Sequence, residues 1–358
     1  MADGDAQTTE PSVSPEIPGI LTLPALDMSW AKVPTERPPK PVIGAEGFTL
    51  RMADHGAYAW APDHWPYEND TPRGSYPSTD IGLPAPYTIY DKIEVWAENC
   101  ADLYEAGIRE QWKPSTQISW SSIEPLEDHV EAAIDQIASN ISEQAYNSNQ
   151  VLMGWMQQIS YGYHEVKLYL STQVFDHARH VEAFRKRALA NGGGLGFETP
   201  GFFGRTVRAS FKFTELVCYV NIIRTTYLLA LCEMGDKIGR SQADRQLFEL
   251  TASDLRRHLA YGVEHLRYYL LNGGEQKRRN VQTWLERGEI MLAADLKRDT
   301  PLREAYILAL GKTVAQGKEG LKALRAAQLK RYLQALQSAN FVDHAEKVNP
   351  SLMEVVNS

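Results

Sequence analysis

Cysteine is scarce, with three in 358 residues, Cys100, Cys218 and Cys232. They lie far apart or inside helical patterns, so no disulfide framework can be drawn from them, and reduced thiols of a cytoplasmic protein are the expectation. Basic charge is short as well: 37 Lys and Arg face 45 Asp and Glu, for a net charge of −8. That balance excludes the electrostatic footprint of a nucleic-acid binder and a polybasic membrane patch. Uninterrupted apolar runs, such as residues 227–232, are far too short to span a bilayer. The N-terminus has no basic stretch followed by an apolar one, so no signal peptide is read. The glycine clusters "NGGGLG" (191–196) and "NGG" (272–274) have no Lys-Ser/Thr after them, which argues against a phosphate loop. No sustained strand alternation is found.

What remains is a chain with 43% hydrophobic residues, enough for one large or two small domains. Residues 1–45 are rich in Pro, Ser, Thr and acid, and read as a disordered or partner-wrapping tail. Residues 46–90 read as an irregular arm carrying Phe48, Tyr58, Trp60, Trp65, Tyr67 and Tyr76, packed over a helical body or a neighbouring subunit. Residues 91–340 form an all-α domain on apolar spacing, beginning with the stripe Ile93, Trp96, Ala97, Cys100, Leu103, Tyr104 and Gly107. Further helices are expected over about 126–161, from about 163 to the stop at Asn191–Gly194, and over about 206–234, 240–271, 276–297 and 301–338. Residues 341–358 read as a short polar tail.

Two stretches carry the chemistry. In Asp176-His177-Ala178-Arg179-His180, helical spacing puts His177 and His180 on one face, with Asp176 and Arg179 beside them. Asp254-Leu255-Arg256-Arg257-His258 repeats the Asp-x-x-Arg-His pattern on a second helix. Carboxylate and histidine motifs on two helices of one bundle are how ferritin-like proteins build a di-metal centre. His164-Glu165 and Tyr161/Tyr163 read as helix-packing groups, and Trp112, Trp120 and Trp155 as core or interface aromatics.

The segments "LYLSTQVFDHARHVEAFRKRAL" (168–189) and "ELTASDLRRHLAYGVEHL" (249–266) resemble the two metal-binding helices of the ferritin-like di-iron carboxylate superfamily. The likeness is closest to hydroxylase components of bacterial multicomponent monooxygenases and to ribonucleotide-reductase small-subunit relatives. "LYEAGIREQW" (103–112) followed by "ISW" (118–120) resembles a lead-in helix of some of these proteins. The resemblance implies that each core reads Asp-Glu-x-Arg-His, where the Glu bridges two irons, the His ligates one and the Asp holds a histidine from behind. Two further helices each supply one Glu, about thirty to thirty-five residues before each core. Here the bridging positions are His177 and Leu255. The single-Glu positions fall on Asn147, with Glu143 one turn earlier, and on Asn221; Glu215 and Glu233 lie out of register.

Two dications held close together need anionic bridges, and neither Leu nor a neutral amide supplies one. No di-iron cofactor is therefore expected. Two readings of the polar set stay open. In one it is a structural network of Asp176, Arg179, Asp254 and Arg257, in which Asp176 reaches His258 and Asp254 reaches His180. In the other, His177, His180 and His258 hold a single Fe, Cu or Zn ion, with Asn147 or Glu143 nearby. The resemblance implies a ligand-poor subunit that stabilises a di-iron catalytic paralogue in a hetero-oligomer. Reductase and effector proteins would join that complex, and the partner would hydroxylate a small hydrocarbon or aromatic with dioxygen. The alternative is a stand-alone metalloenzyme with the three-histidine site. Neither nucleic acid nor membrane is an expected partner.

Overall fold

The structure, a computed structural model, describes residues 40–67, 70–75 and 87–357. The tail expected over 1–45 falls almost wholly outside them, as does Tyr76 of the arm. Among the described residues the chain is all-α, with isolated bridges in place of a sheet. Ten helices matter here: α1 Cys100–Arg109, α2 Asp128–Met156, α3 His164–Leu189, α4 Phe202–Arg208 and α5 Phe213–Cys232. They are followed by α6 Gln242–Asn272, α7 Gly274–Arg298, α8 Thr300–Leu310, α9 Val314–Ser338 and α10 Pro350–Asn357.

Local chemistry sets these ends. Ser241 and Asp244 form a reciprocal capping box at the start of α6. Asp299 and Thr313 cap α8 and α9 through their side chains. Beyond α3, Gly192 takes a φ of 74°, a left-handed turn that suits glycine after a helix. Three expected boundaries are corrected. The single helix expected over 206–234 is two, α4 and α5, separated at residues 209–212. The one expected over 301–338 breaks at Gly311–Thr313, where the Thr313 hydroxyl starts a new helix. The polar tail expected over 341–358 contains a 3-10 turn, Val342–Glu346, and α10, which buries Leu352, Val355 and Val356.

Helices α2, α3, α5 and α6 form the core. Ser142 bonds the Val181 carbonyl and Asn149 bonds that of Val174, so α2 and α3 run antiparallel. Helix α5 has the length and mean hydropathy of a membrane span, although no single apolar run in it is long, and that span is wholly buried in the bundle. Its middle, Cys218–Arg224, is π-helical, and the Thr225 hydroxyl donates to the Val220 carbonyl five residues back. Helix α6 approaches α5 closely at Gly262, where a Cβ would stand 2.5 Å from that of Asn221.

The arm folds onto this bundle. Trp65 is buried and covers Gly162, and the Tyr163 hydroxyl donates to the Tyr90 carbonyl. Arg73 pairs with Glu165 and bonds the Gly162 carbonyl, with both charged side chains over nine-tenths buried. Trp60, Tyr67 and Phe48 stay exposed.

His265 on α6 is buried among Phe213, Tyr261 and Tyr269, with Nδ1 on the Trp96 carbonyl and Nε2 at 3.0 Å from the Thr214 hydroxyl. Burial pulls its pKa down to about 4. The unfolded chain takes up a proton near pH 6.5 that the folded chain refuses, so this contribution is complete above about 6.5 and is lost as pH falls toward 4. The loss is on the order of 3 kcal/mol. Urea denaturation across that range should show it, and His265→Gln, which cannot titrate, should flatten the difference.

Candidate metal centre

The centre lies where α3 and α6 cross. Asp176 meets His258 at 2.9 Å and His180 meets Asp254 at 2.9 Å, the two pairings expected from the sequence. Since the partner number falls as the first rises, the helices are antiparallel. An i,i+4 Asp and His on each then meet reciprocally. The arginines close the ring: each binds its own Asp one turn back, Arg179 also reaches Asp254, and Arg257 also reaches Asp176, both at 3.1 Å. All six side chains are buried. Two carboxylates and two guanidinium groups cancel in charge, which lets the ring sit in the core.

Burial alone would raise both carboxyl pKa values, but the histidine hydrogen bonds and the arginines outweigh it and hold Asp176 and Asp254 below the usual range. Burial first, then His258, His180 and Arg224, pushes His177 far down. His258 falls mainly through burial, against the pull of Asp176.

The three imidazoles face one another, with centres 4.9 Å apart for His177–His258, 5.9 Å for His177–His180 and 6.2 Å for His180–His258. Both nitrogens of His177 and Nδ1 of His258 are buried with no hydrogen-bond partner among the described residues. Each of His180 and His258 uses Nε2 on a carboxylate.

The other residues singled out by spacing divide. Asn221 reaches the core, donating to Gln173 and to the His258 carbonyl, and its Oδ1 is unpartnered. Asn147 and Glu143 do not join the histidines: Asn147 bonds Arg208, while Glu143 accepts from the amide and hydroxyl of Thr199. Both line a cavity of about 60 Å³ together with Arg224. Leu255 is buried and offers no donor. Glu215 holds Tyr219, and Glu233 pairs with Arg256 and Arg331.

Two residues were missed. The Trp112 indole N–H donates to Asp254 at 2.8 Å, its ring stacks on His180, and its carbonyl accepts from Arg179, so it belongs to the network. Arg224 is buried beside α2, donating to the Ser148 hydroxyl and the Gln144 carbonyl, and burial pulls its pKa down to about 10. A lone cation three residues after Asn221 in an otherwise apolar run was the signal for it.

The donor set does not fit a di-metal cofactor. Both carboxylates are held from outside the centre, the bridging positions are His177 and Leu255, and Arg224 adds positive charge. Among the described residues, Asp54, His164 and Glu165 are the one trio with donor atoms within 4.8 Å of one another. Arg73 pairs with Glu165 and lies 3.5 Å from Asp54, so this trio already holds a cation of its own.

Comparison with solved structures finds an R2-like ligand-binding oxidase. A variant with an aerobically reconstituted Fe/Fe cofactor matches at TM-score 0.53 and 17% identity, over 68% of this chain and 94% of that one. A second variant, with an aerobically reconstituted Mn/Fe cofactor, matches at TM-score 0.52 over the same shares, also at 17% identity. No protein-family model and no curated protein matches the chain. At this identity the likeness shows the fold, and the bundle is ferritin-like.

Asp176→Ala should destabilise the chain by about 3–5 kcal/mol, because it leaves Arg179 and Arg257 undercompensated as well as His258 unpaired. Chemical denaturation measures it. A change under about 1 kcal/mol would mean that the ring contributes little.

Proposed function

We propose that this chain is a ferritin-like subunit of an oxidoreductase assembly, with a structural polar core in place of a di-metal centre. The observation that carries the reading is the closed ring of Asp176, Arg179, Asp254 and Arg257, which leaves no carboxylate free to bridge two metals. The chain then serves a hydroxylase of the multicomponent monooxygenase type. A di-iron paralogous partner hydroxylates a small hydrocarbon or aromatic with dioxygen, and reductase and effector proteins act on the complex. The fold likeness to oxidases that carry Fe/Fe or Mn/Fe cofactors supports the oxidoreductase setting. Exposed Trp60, Tyr67 and Phe48 on the arm, with Tyr146 and Met153 on α2 and Phe175 on α3, support a partner surface, since aromatic side chains anchor interfaces. A cytoplasmic site belongs to the same proposal, supported by three free, buried thiols. A second reading, a metalloenzyme in its own right, is favoured by the unpartnered nitrogens of His177 and His258.

Elemental analysis of the purified chain should give no stoichiometric pair of irons; two irons per chain with a carboxylate-bridged spectrum would overturn the reading. Co-expression with a neighbouring-gene chain bearing intact Glu-x-x-His motifs should yield a stable complex burying above about 2,000 Å². The chain alone should be self-associated or poorly soluble, and a well-behaved monomer at micromolar concentration would remove the need for a partner.

A further inference from the structure

We infer that the cavity lined by Arg224 of α5 and Arg325 of α9 binds a small carboxylate, an ion of about the size of acetate, on the open edges of these two guanidinium groups. The inference is independent of the subunit role, because it concerns this chain by itself.

Three observations carry it. First, Arg224 and Arg325 are each 5% exposed, and neither is ion-paired among the described residues. Arg224 uses Nη1 on the Ser148 hydroxyl and the Gln144 carbonyl, and Arg325 uses Nη1 on the Gln328 side chain. Nε and Nη2 of both have no hydrogen bond among the described residues, and Nε of Arg224 is fully buried as well. Nε and Nη2 form the side-on edge of a guanidinium, whose two parallel N–H bonds match the two oxygens of a carboxylate. A buried donor without an acceptor is destabilising, and such an ion relieves that.

Second, the acids of the same cavity are engaged elsewhere. Glu143 accepts from the amide and hydroxyl of Thr199, and Asp295 takes the amides of Phe202 and Phe203 on its two oxygens. Asp299 caps α8 through the Leu302 amide. These contacts hold backbone in place and leave the guanidinium edges open. Burial lowers the pKa of both arginines, that of Arg224 to about 10, even against the pull of Glu143 and Asp295, so their charge is undercompensated. The three carboxylates still count against a dianion, which they would repel. A monoanion placed directly on the edges gains charge-assisted bonds that the engaged acids do not supply.

Third, size and lining suit a short carboxylate. The cavity of about 60 Å³ has room for roughly four to six water-sized centres, and acetate has four heavy atoms. Phe203, Leu296 and Leu302 give it an apolar side for a methyl group. The Phe203 ring lies 5.4 Å from the Arg224 guanidinium carbon, which sets apolar surface beside the edge.

The test is titration of the full-length chain with ¹³C-acetate followed by NMR, with chloride holding the ionic strength constant and with nitrate and sulfate titrated in parallel. One equivalent of acetate should bind. A ligand of four heavy atoms binds no tighter than on the order of tens of micromolar, so the titration extends well into the millimolar range. Arg224→Lys keeps the charge and removes the edge; it should weaken binding at least tenfold with helical content unchanged. Arg279→Lys, at an exposed position on α7, should leave binding as it was. Isotope-filtered NOEs in the wild-type complex should connect the acetate methyl to Phe203, Leu296 or Leu302, which decides the matter even if Arg224→Lys fails to fold. NOEs to other residues alone would overturn the inference. So would no saturable binding by the wild type, undiminished binding by Arg224→Lys, loss on Arg279→Lys, or nitrate or sulfate binding as tightly as acetate.

Discussion

The structure depends on a reciprocal exchange of charge between two antiparallel helices. Asp176 and Asp254 each accept from the histidine of the opposite helix and from both arginines, all in a water-excluded core. None of these four charges could stay there alone, because a buried ion without a partner costs several kcal/mol. The register of α3 against α6 is therefore locked. A shift of one turn would break all four pairs between the helices at once, and this is the sense in which a polar core specifies a bundle that apolar packing alone would leave free to slide.

The rest of the bundle is arranged around that lock. The π-helical stretch of α5 brings Asn221 under His258, and Gly262 lets α6 come close enough for the amide to reach the His258 carbonyl. Arg224, one turn further along α5, turns toward α2 and supplies the positive field that His177 feels. The segment after α1 covers the ring: Trp112 seals Asp254, and Glu110 takes the outer side of Arg257. The centre is built from imidazoles and balanced charge. The oxidases that share its fold carry two metals, a load that needs anions this core does not present.

The arm shows a second use of the same principle. Arg73 is buried against Glu165 at the start of α3, and Trp65 lies over Gly162, so residues 60–67 and 70–75 belong to the body of this chain. Aromatics that sequence alone could not assign then divide into two sets. Trp65 turns inward and serves the core, while Trp60 and Tyr67 face outward.

The sequence by itself determined the all-α class and the two Asp-x-x-Arg-His cores, because helical periodicity and an i,i+4 spacing of unlike groups are local properties that survive any packing. The pairing of the cores across the bundle was one of two open readings, drawn from the resemblance to di-iron carboxylate proteins. The same resemblance implied that the positions of the family's bridging glutamates are His177 and Leu255 here. Three things were left to tertiary structure. Asn147 and Glu143 fall within a turn of the expected ligand position, and a helix rotation of that size decides whether a side chain meets the histidines or, as here, Thr199 and Arg208. Trp112 is far from both cores in the chain and joins Asp254 only through folding. The unpartnered nitrogens of His177 came into view only once every neighbour was placed, because whether a buried polar atom is satisfied depends on the whole surrounding shell.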